Sequence, residues 1–262
     1  MRCCVLVRFR RKKLKKWIKL LLSSLSLLLL GCDKDFSLEP PVDGEKLKFI
    51  ITLPSDVKPL PLGVMYRSNI CKQVRTNSNG ESYKVAGFKF IELEINKKPE
   101  AGDYVSEISF NGGGECSWKL SNISASFKFR DDSSVADGVT KNNPVKTIFT
   151  FDDNSPQVSD GTYQTVNSNA VISDDYYPLI TIYNIPQKNK ILNIKRNKQY
   201  TYYKITNANK IIFSPAIHSD NITTAIQPEK NQAGLYFKVV YSDGVVKTQA
   251  YFPDFDKLKN LK

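Results

Sequence analysis

The stretch Ile123-Ser124-Ala125-Ser126-Phe127-Lys128-Phe129-Arg130 alternates apolar and polar side chains along its whole length. Successive side chains of a β-strand point to opposite faces, so this period of two predicts a half-buried strand with one wet face. Similar runs occur at residues 46–53, 88–95, 105–110, 145–151, 179–185 and 191–195. After residue 32, no stretch sustains a helical period over about three turns. The sequence therefore predicts an all-β protein.

Two local patterns add detail to this fold. Residues 235–241 and 245–252 flank Ser242-Asp243-Gly244, and Asp-Gly between two β-rich runs is a strong hairpin signal. Within residues 88–95 the apolar positions change phase, from Phe88 and Phe90 to Ile91 and Leu93. An extra residue in one strand would explain such a change, so the pattern predicts a β-bulge.

The predicted architecture is a sandwich of antiparallel sheets, because many short strands separated by turn residues are typical of that class. The β-rich body begins near residue 46 and continues to residue 262. It forms either one elaborated unit or two small β units joined near residues 131–144.

The positive charge is concentrated at the N-terminus. The whole chain carries a formal charge of +12, with 38 Lys and Arg against 26 Asp and Glu. Nine of those basic side chains lie in residues 1–19, which leaves 29 against 26, or about +3, for the remainder. The basicity therefore does not predict a nucleic-acid partner.

Residues 1–31 have the pattern of a targeting signal. A basic stretch precedes the apolar run Leu-Leu-Leu-Ser-Ser-Leu-Ser-Leu-Leu-Leu-Leu at residues 20–30, which is shorter than the roughly 20 residues that span a bilayer. The next residues, Leu29-Leu30-Gly31-Cys32, resemble the lipobox of bacterial lipoproteins. This resemblance implies cleavage after Gly31, a lipid on Cys32 and stable anchoring by several acyl chains. The alternative is an uncleaved membrane anchor with a chance cysteine.

The same resemblance predicts where the body lies. A bacterial lipoprotein body most simply faces the periplasm. In enterobacterial lipoproteins an aspartate after the lipidated cysteine favours the inner membrane, and Asp33 occupies that position; the outer membrane is the alternative. Residues 32–45 are polar and interrupted by Pro40, Pro41 and Gly44, so they form the lipidated cysteine and a tether.

The cysteines agree with export. Cys3 and Cys4 leave with the signal peptide and Cys32 is lipidated, so Cys71 and Cys116 remain as a pair. In an oxidising compartment such a pair predicts a disulfide. Metal binding is the alternative, although two thiols and the single histidine would need carboxylates to complete a zinc site.

The sequence offers little catalytic chemistry. His218 is the only histidine, and a Ser-His-Asp triad would need a nucleophile that no Gly-x-Ser-x-Gly motif supplies. The acidic pairs Asp131-Asp132, Asp152-Asp153 and Asp174-Asp175 follow apolar runs without the spacing of a calcium loop, so they are interpreted as turn residues. The sequence therefore predicts no enzyme activity, no cofactor and no metal.

Tyrosines are the candidate partner-binding residues. Tyr176-Tyr177 and Tyr200-Thr201-Tyr202-Tyr203 place aromatic side chains at successive positions, which cannot all face one core in an alternating strand. Tyrosine is enriched at interaction hot spots, so Tyr176, Tyr177, Tyr202 and Tyr203 are predicted to contact a partner. The alternative is that they are ordinary strand tyrosines.

A second resemblance concerns function. Val64-Met65-Tyr66-Arg67-Ser68 with Cys71, followed by Gly112-Gly113-Gly114-Glu115-Cys116-Ser117-Trp118-Lys119-Leu120-Ser121-Asn122, resembles small enterobacterial lipoproteins found with type VI secretion effectors. The resemblance covers residues 60–130. It implies an immunity protein that binds an incoming periplasmic toxin, such as a phospholipase, and blocks its active site.

Three functions are therefore considered. The leading one is the immunity lipoprotein, whose partners are the membrane, through the lipid, and a secreted toxin. The second is a structural or assembly lipoprotein of the cell envelope or of a secretion apparatus. An envelope hydrolase is the third.

The lipobox gives a direct prediction. We expect labelled palmitate to enter the wild-type protein, whereas Cys32→Ser should keep the precursor size and remain unlabelled, because the thioether cannot form. Electrophoresis with autoradiography checks both. Label persisting in Cys32→Ser would reject this lipidation site.

Overall fold

The computed structural model describes residues 35–98, 103–157, 159–197, 201–248, 250 and 252–261. The predicted signal peptide, Cys32 and Asp33 lie outside the described residues. Leu38–Lys262 forms one compact unit. Its main hydrophobic core includes Phe129 and Phe149, on either side of residues 131–144, so the chain does not divide there.

In the described part of the chain, almost all the regular secondary structure is β-strand. One short helix, α1, covers Phe255–Asn260, and a single 3-10 turn covers Ser134–Ala136. The strands are β1 (Lys46–Ile51), β2 (Val57–Pro59), β3 (Leu62–Thr76), β4 (Ser82–Leu93), β5 (Asn96–Lys97), β6 (Tyr104–Ser109), β7 (Asn111–Gly113), β8 (Trp118–Phe129), β9 (Lys141–Asn142), β10 (Val145–Thr150), β11 (Tyr163–Asn167), β12 (Ala170–Ile172), β13 (Asp175–Tyr183), β14 (Asn189–Arg196), β15 (Tyr202–Thr206), β16 (Lys210–Phe213), β17 (Ala216–Ile217), β18 (Thr223–Ile226), β19 (Lys238–Val240) and β20 (Val246–Thr248).

These strands form three sheets that pack in a sandwich-like arrangement. The first sheet has the order β11-β15-β10-β8-β3-β4, with β2 and β7 also paired to β8. The second has the order β12-β16-β1-β6-β5, and the third β20-β19-β18-β13-β14-β9 with β17 beside β13. The prediction of an all-β, sandwich-like fold is confirmed.

The prediction that the sheets are antiparallel is wrong in part, because all three are mixed. Parallel pairs join β1 to β16, β10 and β11 to β15, β13 to β18, and β14 to β9. The β1–β16 pair joins Lys48 to Lys210. Parallel partners need long crossover connections, so turn signals between neighbouring strands do not reveal them.

The two local predictions have different outcomes. The Asp-Gly hairpin is confirmed, since β19 pairs antiparallel with β20 and Gly244 has a φ of 81° in the turn. The bulge in residues 88–95 is wrong, because β4 pairs continuously with β3 from Gly87 to Leu93. Phe88 and Phe90 simply lie on the opposite face from Ile91 and Leu93. The irregularity lies in β3, between Ser68 and Gln73.

Aromatic rings from all three sheets meet in the core. Phe149 of β10 contacts Phe49 of β1 at 5.2 Å and Phe213 of β16 at 5.4 Å between ring centroids. Phe127 of β8 contacts Tyr176 of β13 at 5.1 Å, edge to face. Edge-to-face pairs contribute about 0.5–1.5 kcal/mol beyond their buried area, so this aromatic cluster fixes how the sheets pack.

A buried ion pair of the third sheet is hydrogen-bonded to a tyrosine of the first. Arg196 Nη1 at the end of β14 lies 2.6 Å from Asp174 Oδ2, with side-chain exposures of 5% and 10%. The Tyr203 hydroxyl of β15 donates to Asp174 Oδ1 at 2.7 Å. Asp174, interpreted from the sequence as a turn residue, therefore links the first sheet to the third.

We expect Arg196→Met to lower the free energy of unfolding by about 3–5 kcal/mol, because it leaves the Asp174 carboxylate buried without its cation. Urea unfolding measures this loss. Arg130→Met is the control, since Arg130 pairs with Asp132 on the surface and should change the stability little. Equal losses in both variants would contradict a structural role for the buried pair.

Candidate functional site

The four candidate tyrosines are buried, so the prediction that they form a partner-binding surface is wrong. Their exposed fractions are 0% for Tyr176, 1% for Tyr177, 4% for Tyr202 and 2% for Tyr203. Burial also raises the pKa of the Tyr176 hydroxyl, which hydrogen-bonds the Thr147 hydroxyl at 2.7 Å. Tyr200 lies outside the described residues.

For Tyr176 and Tyr177, the reason is that strand β13 is covered on both faces. Tyr176 packs in the main core, whereas Tyr177 packs in a second core with Leu179, Val239 and Leu258 of α1. Successive tyrosines do face opposite sides, as the alternation requires, but each side meets a hydrophobic layer. The sequence pattern could not show that a second layer covers this sheet.

His218 belongs to a local polar cluster. Its ring stacks on Tyr177 at 4.6 Å, and its Nε2 lies 2.7 Å from Asp175 Oδ1. The neighbouring Ser219 hydroxyl donates to Asp56 Oδ2 at 2.7 Å rather than to the imidazole. The arrangement therefore orients His218 against β13 without presenting Ser219 to it as a nucleophile.

An exposed aromatic surface of the first sheet lies on β3 and β4. Met65 pairs with Phe90 and Arg67 with Phe88, and their neighbours on β3, Val64 and Tyr66, point into the core. Phe88 and Phe90 are 38% and 52% exposed. We call Met65, Arg67, Phe88 and Phe90 the outer face of the hairpin.

Close contacts fix Phe90 and Arg67 of the outer face in position. A Cβ added at Gly63 would lie 2.8 Å from Phe90 Cε2 and 2.4 Å from Ser124 Oγ. Because only glycine leaves that space, the Phe90 ring can lie across the backbone of β3. The Arg67 Nε donates to Ser121 Oγ at 3.0 Å, so Arg67 is also fixed. A pre-organised surface loses less entropy when it binds a partner.

A disulfide anchors the irregular part of β3 beside this face. Cys71 and Cys116 are bonded, so the disulfide predicted from the sequence is present in the structure. The buried Ser68 hydroxyl accepts from Ile70 N at 3.1 Å and from Cys71 N at 3.0 Å, and it donates to the Cys116 carbonyl. Ser68 therefore organises the bulge that the disulfide closes.

A cleft adjoins the outer face at this bulge. Its volume is about 590 Å³, and its lining includes Arg67, Ile70, Ala86, Leu120, Phe151 and Asp153. The hydrogen bond from the Lys204 ammonium lowers the pKa of the Asp153 carboxyl, so this wall of the cleft carries an ion pair. Arg67 belongs to both the cleft and the outer face, so the two form one continuous surface.

A second cleft, of about 620 Å³, lies next to the first and shares Lys119, Leu120 and Phe151 with it. Both clefts lie at the end of the first sheet where β8 begins. The walls of both clefts mix apolar and charged side chains. Such walls suit contact with another protein better than they suit the binding of a small apolar ligand.

The sequence contained one signal for this site. The phase change at Phe88 and Phe90 placed two aromatic side chains opposite the core side of the strand, but it was interpreted as a bulge. Alternation alone gave the correct result, because Phe88 and Phe90 differ from Ile91 and Leu93 by an odd number of residues.

Comparison with known proteins gives no family assignment. No protein-family model matches the chain, and neither a curated protein nor a solved structure matches it. Within the described residues, no group of three or more His, Cys, Asp or Glu side chains could hold a metal ion. The helix of the described part is also too short and too polar to cross a bilayer.

The disulfide closes a loop with a sequence separation of 45 residues. We expect Cys71→Ala/Cys116→Ala to lower the free energy of unfolding by about 3–4 kcal/mol, because the unfolded chain regains entropy. Reductant should destabilise the wild type and leave the double variant unchanged. If Cys71 and Cys116 can both be alkylated in native protein isolated from the cell, the bridge is absent there.

Proposed function

We propose that this chain is a periplasmic lipoprotein that binds a secreted toxin and neutralises it, as an immunity protein of a type VI secretion system. Its working part is the outer face of the hairpin with the adjoining cleft. The exposed, pre-organised Phe88 and Phe90 carry this proposal.

The anchor part of the proposal rests on the N-terminal sequence. The basic stretch, the apolar run and Leu29-Leu30-Gly31-Cys32 resemble a lipoprotein signal. Lipidated Cys32 would hold the body at the periplasmic face of a membrane, and Asp33 favours the inner membrane. A toxin that acts in the periplasm would meet its inhibitor there.

The binding part rests on the chemistry of the outer face. Aromatic and arginine side chains dominate the hot spots of protein interfaces, and Phe88, Phe90 and Arg67 lie together on this surface. All of them fall within residues 60–130, the stretch that resembles immunity lipoproteins. The ring of Phe90 rests on Gly63, so it is presented to a partner without a large loss of rotamer entropy.

A stoichiometric inhibitor also fits the polar clusters better than an enzyme does. His218 is oriented by Asp175 and Tyr177, whereas the Ser219 hydroxyl is engaged by Asp56. A Ser-His-Asp mechanism would need a hydroxyl on the imidazole. An inhibitor needs only a complementary surface, which typically buries about 1,600 Å² in total.

The proposal is tested by deleting the gene while leaving a neighbouring effector gene intact. Bacteria without the gene should be killed by the parent strain, and periplasmic expression of residues 33–262 should restore survival. Equal survival with and without the gene would reject immunity and favour the envelope-assembly alternative.

The outer face is tested by Phe88→Ser/Phe90→Ser. We expect the affinity for the effector to fall at least about thirtyfold, which corresponds to about 2 kcal/mol for a hot spot. Calorimetry measures the affinity, and the killing assay should show lost protection.

The matched control is Val171→Ser/Leu235→Ser, which also removes two exposed apolar side chains, 67% and 51% exposed, from other surfaces. It should bind and protect like the wild type. Thermal unfolding of both variants separates lost binding from lost folding, since Phe88 and Phe90 are only partly exposed. Full protection by the Phe88→Ser/Phe90→Ser variant would remove the outer face from the binding site.

A further inference from the structure

The β3–β4 hairpin extends beyond the rest of its sheet. The last pair between β3 and β8 joins Arg67 to Lys119, whereas β3 and β4 continue to pair as far as Thr76 and Ser82. From Phe88, opposite Arg67, to Ser82 the strand takes six residue steps, which is about 20 Å. We call residues 69–86 the projecting hairpin.

The projecting hairpin is rigid at both ends. The disulfide between Cys71 and Cys116 fixes its base. At the tip, Asn77 Oδ1 accepts from Asn79 N at 3.0 Å and from Glu81 N at 2.9 Å. The projection is therefore a defined arm of the body.

The surface of this arm combines exposed apolar side chains with cations. Ile70, Val74 and Tyr83 are 56%, 64% and 48% exposed. Val74 pairs with Lys84 and Tyr83 with Arg75 across the hairpin, so an apolar side chain lies opposite a cation in each pair.

The cations of the arm outnumber its acids. Lys72, Arg75 and Lys84 are exposed, and none of them forms an ion pair with a residue that the structure describes. Glu81 is the single acidic residue between residues 69 and 86. A second copy of this arm would be repelled, whereas an anionic surface would be attracted.

The tether enters the body at the end of the sheet from which the arm projects. Glu39 N donates to the Gly112 carbonyl at 2.8 Å, and Glu39 forms a parallel bridge with Gly113. Gly113 has a φ of 59°, and a Cβ there would lie 1.9 Å from the Glu39 carbonyl oxygen. Gly113 in turn pairs with Trp118, the first residue of β8.

This docking shortens the free tether predicted from the sequence. Six residue steps separate Cys32 from Leu38, which span at most about 20 Å when fully extended. A lipid on Cys32 would therefore hold this end of the body within about 20 Å of the bilayer. The projecting hairpin has a similar length, so it can reach the same surface.

We propose that the projecting hairpin binds the anionic surface of the membrane in which the chain is anchored, with Tyr83, Val74 and Ile70 at the lipid interface and the three cations on lipid phosphates. The membrane position rests on the proposed lipidation of Cys32. Tyrosine favours the lipid–water interface because its ring is apolar and its hydroxyl can hydrogen-bond to water. Basic residues near an anionic membrane strengthen binding about fivefold each.

The arm then orients the body. Attachment through the tether alone does not set the orientation of the body, whereas a second contact, about 20 Å from the sheet end, would fix which side faces the periplasm. The outer face of the hairpin lies at the base of the same strands. The membrane contact of the projecting hairpin therefore also sets the distance from the bilayer at which the outer face would bind a toxin.

The test uses the mature lipoprotein carrying Tyr83→Trp, reconstituted in vesicles. Trp17 leaves with the predicted signal peptide and Trp118 is 2% exposed, so the new indole reports on the arm. In vesicles that contain phosphatidylglycerol, we expect its emission to shift to shorter wavelength and to be quenched by lipids with brominated acyl chains. In vesicles of phosphatidylcholine alone, both effects should be weak.

Charge reversal provides the decisive comparison. Lys72→Glu/Arg75→Glu/Lys84→Glu in the same background should lose the quenching. Lys141→Glu/Lys188→Glu/Lys230→Glu makes the same change of charge at exposed lysines elsewhere and should keep it. Circular dichroism and thiol titration check that both variants are folded and oxidised.

Several outcomes would overturn the proposal. Equal emission in anionic and neutral vesicles rejects binding to the anionic surface, and equal loss in both charge-reversal variants rejects a role for the arm. If the indole emission changes only when the effector is added, the arm contacts a protein and not the membrane. The mass of the mature chain reports the acylation of Cys32 and the killing assay reports immunity, so failure of either is distinguished from failure of the membrane contact.

Discussion

The aromatic cluster between the three sheets is the constraint on which the rest of the structure depends. Phe149 touches rings from the second sheet, and Phe127 touches Tyr176 of the third. Each ring comes from a different part of the chain, so none can be placed until the sheets have met. Interiors are packed as densely as organic crystals. The relative positions of the sheets, and of everything at their ends, therefore follow from these contacts.

Once the sheets are fixed, the surface chemistry concentrates at one end of the first sheet. The disulfide, the bulge organised by Ser68, both clefts and the docking of Glu39 all lie where β8 begins. The base of the β3–β4 hairpin presents aromatic side chains, and its far half carries cations. The proposed protein contact and the proposed membrane contact therefore lie on the same pair of strands.

The buried tyrosines illustrate how a correct rule leads to a wrong conclusion. Alternation did place Tyr176 and Tyr177 on opposite faces, but α1 and its neighbours cover the second face. Phe88 and Phe90 are the reverse case: alternation places them on the face opposite Ile91 and Leu93, and that face is left exposed. A strand with hydrophobic residues on both faces has both faces buried when a second layer covers it. When no layer covers one face, the hydrophobic residues on that face stay exposed and can form an interaction surface.

The sequence by itself determined the all-β class, several strands such as residues 123–130, the terminal hairpin and the pairing of Cys71 with Cys116, because these depend on side-chain period, turn residues and the count of thiols. It also carries the basic stretch, the apolar run and Leu29-Leu30-Gly31-Cys32 on which the lipoprotein proposal rests, and these form a linear pattern. Only the tertiary structure decided the parallel pairings, the cover over the tyrosines and the projection of the β3–β4 hairpin. Those features depend on contacts between residues far apart in the chain, and a local pattern contains no information about which distant strand will lie beside it.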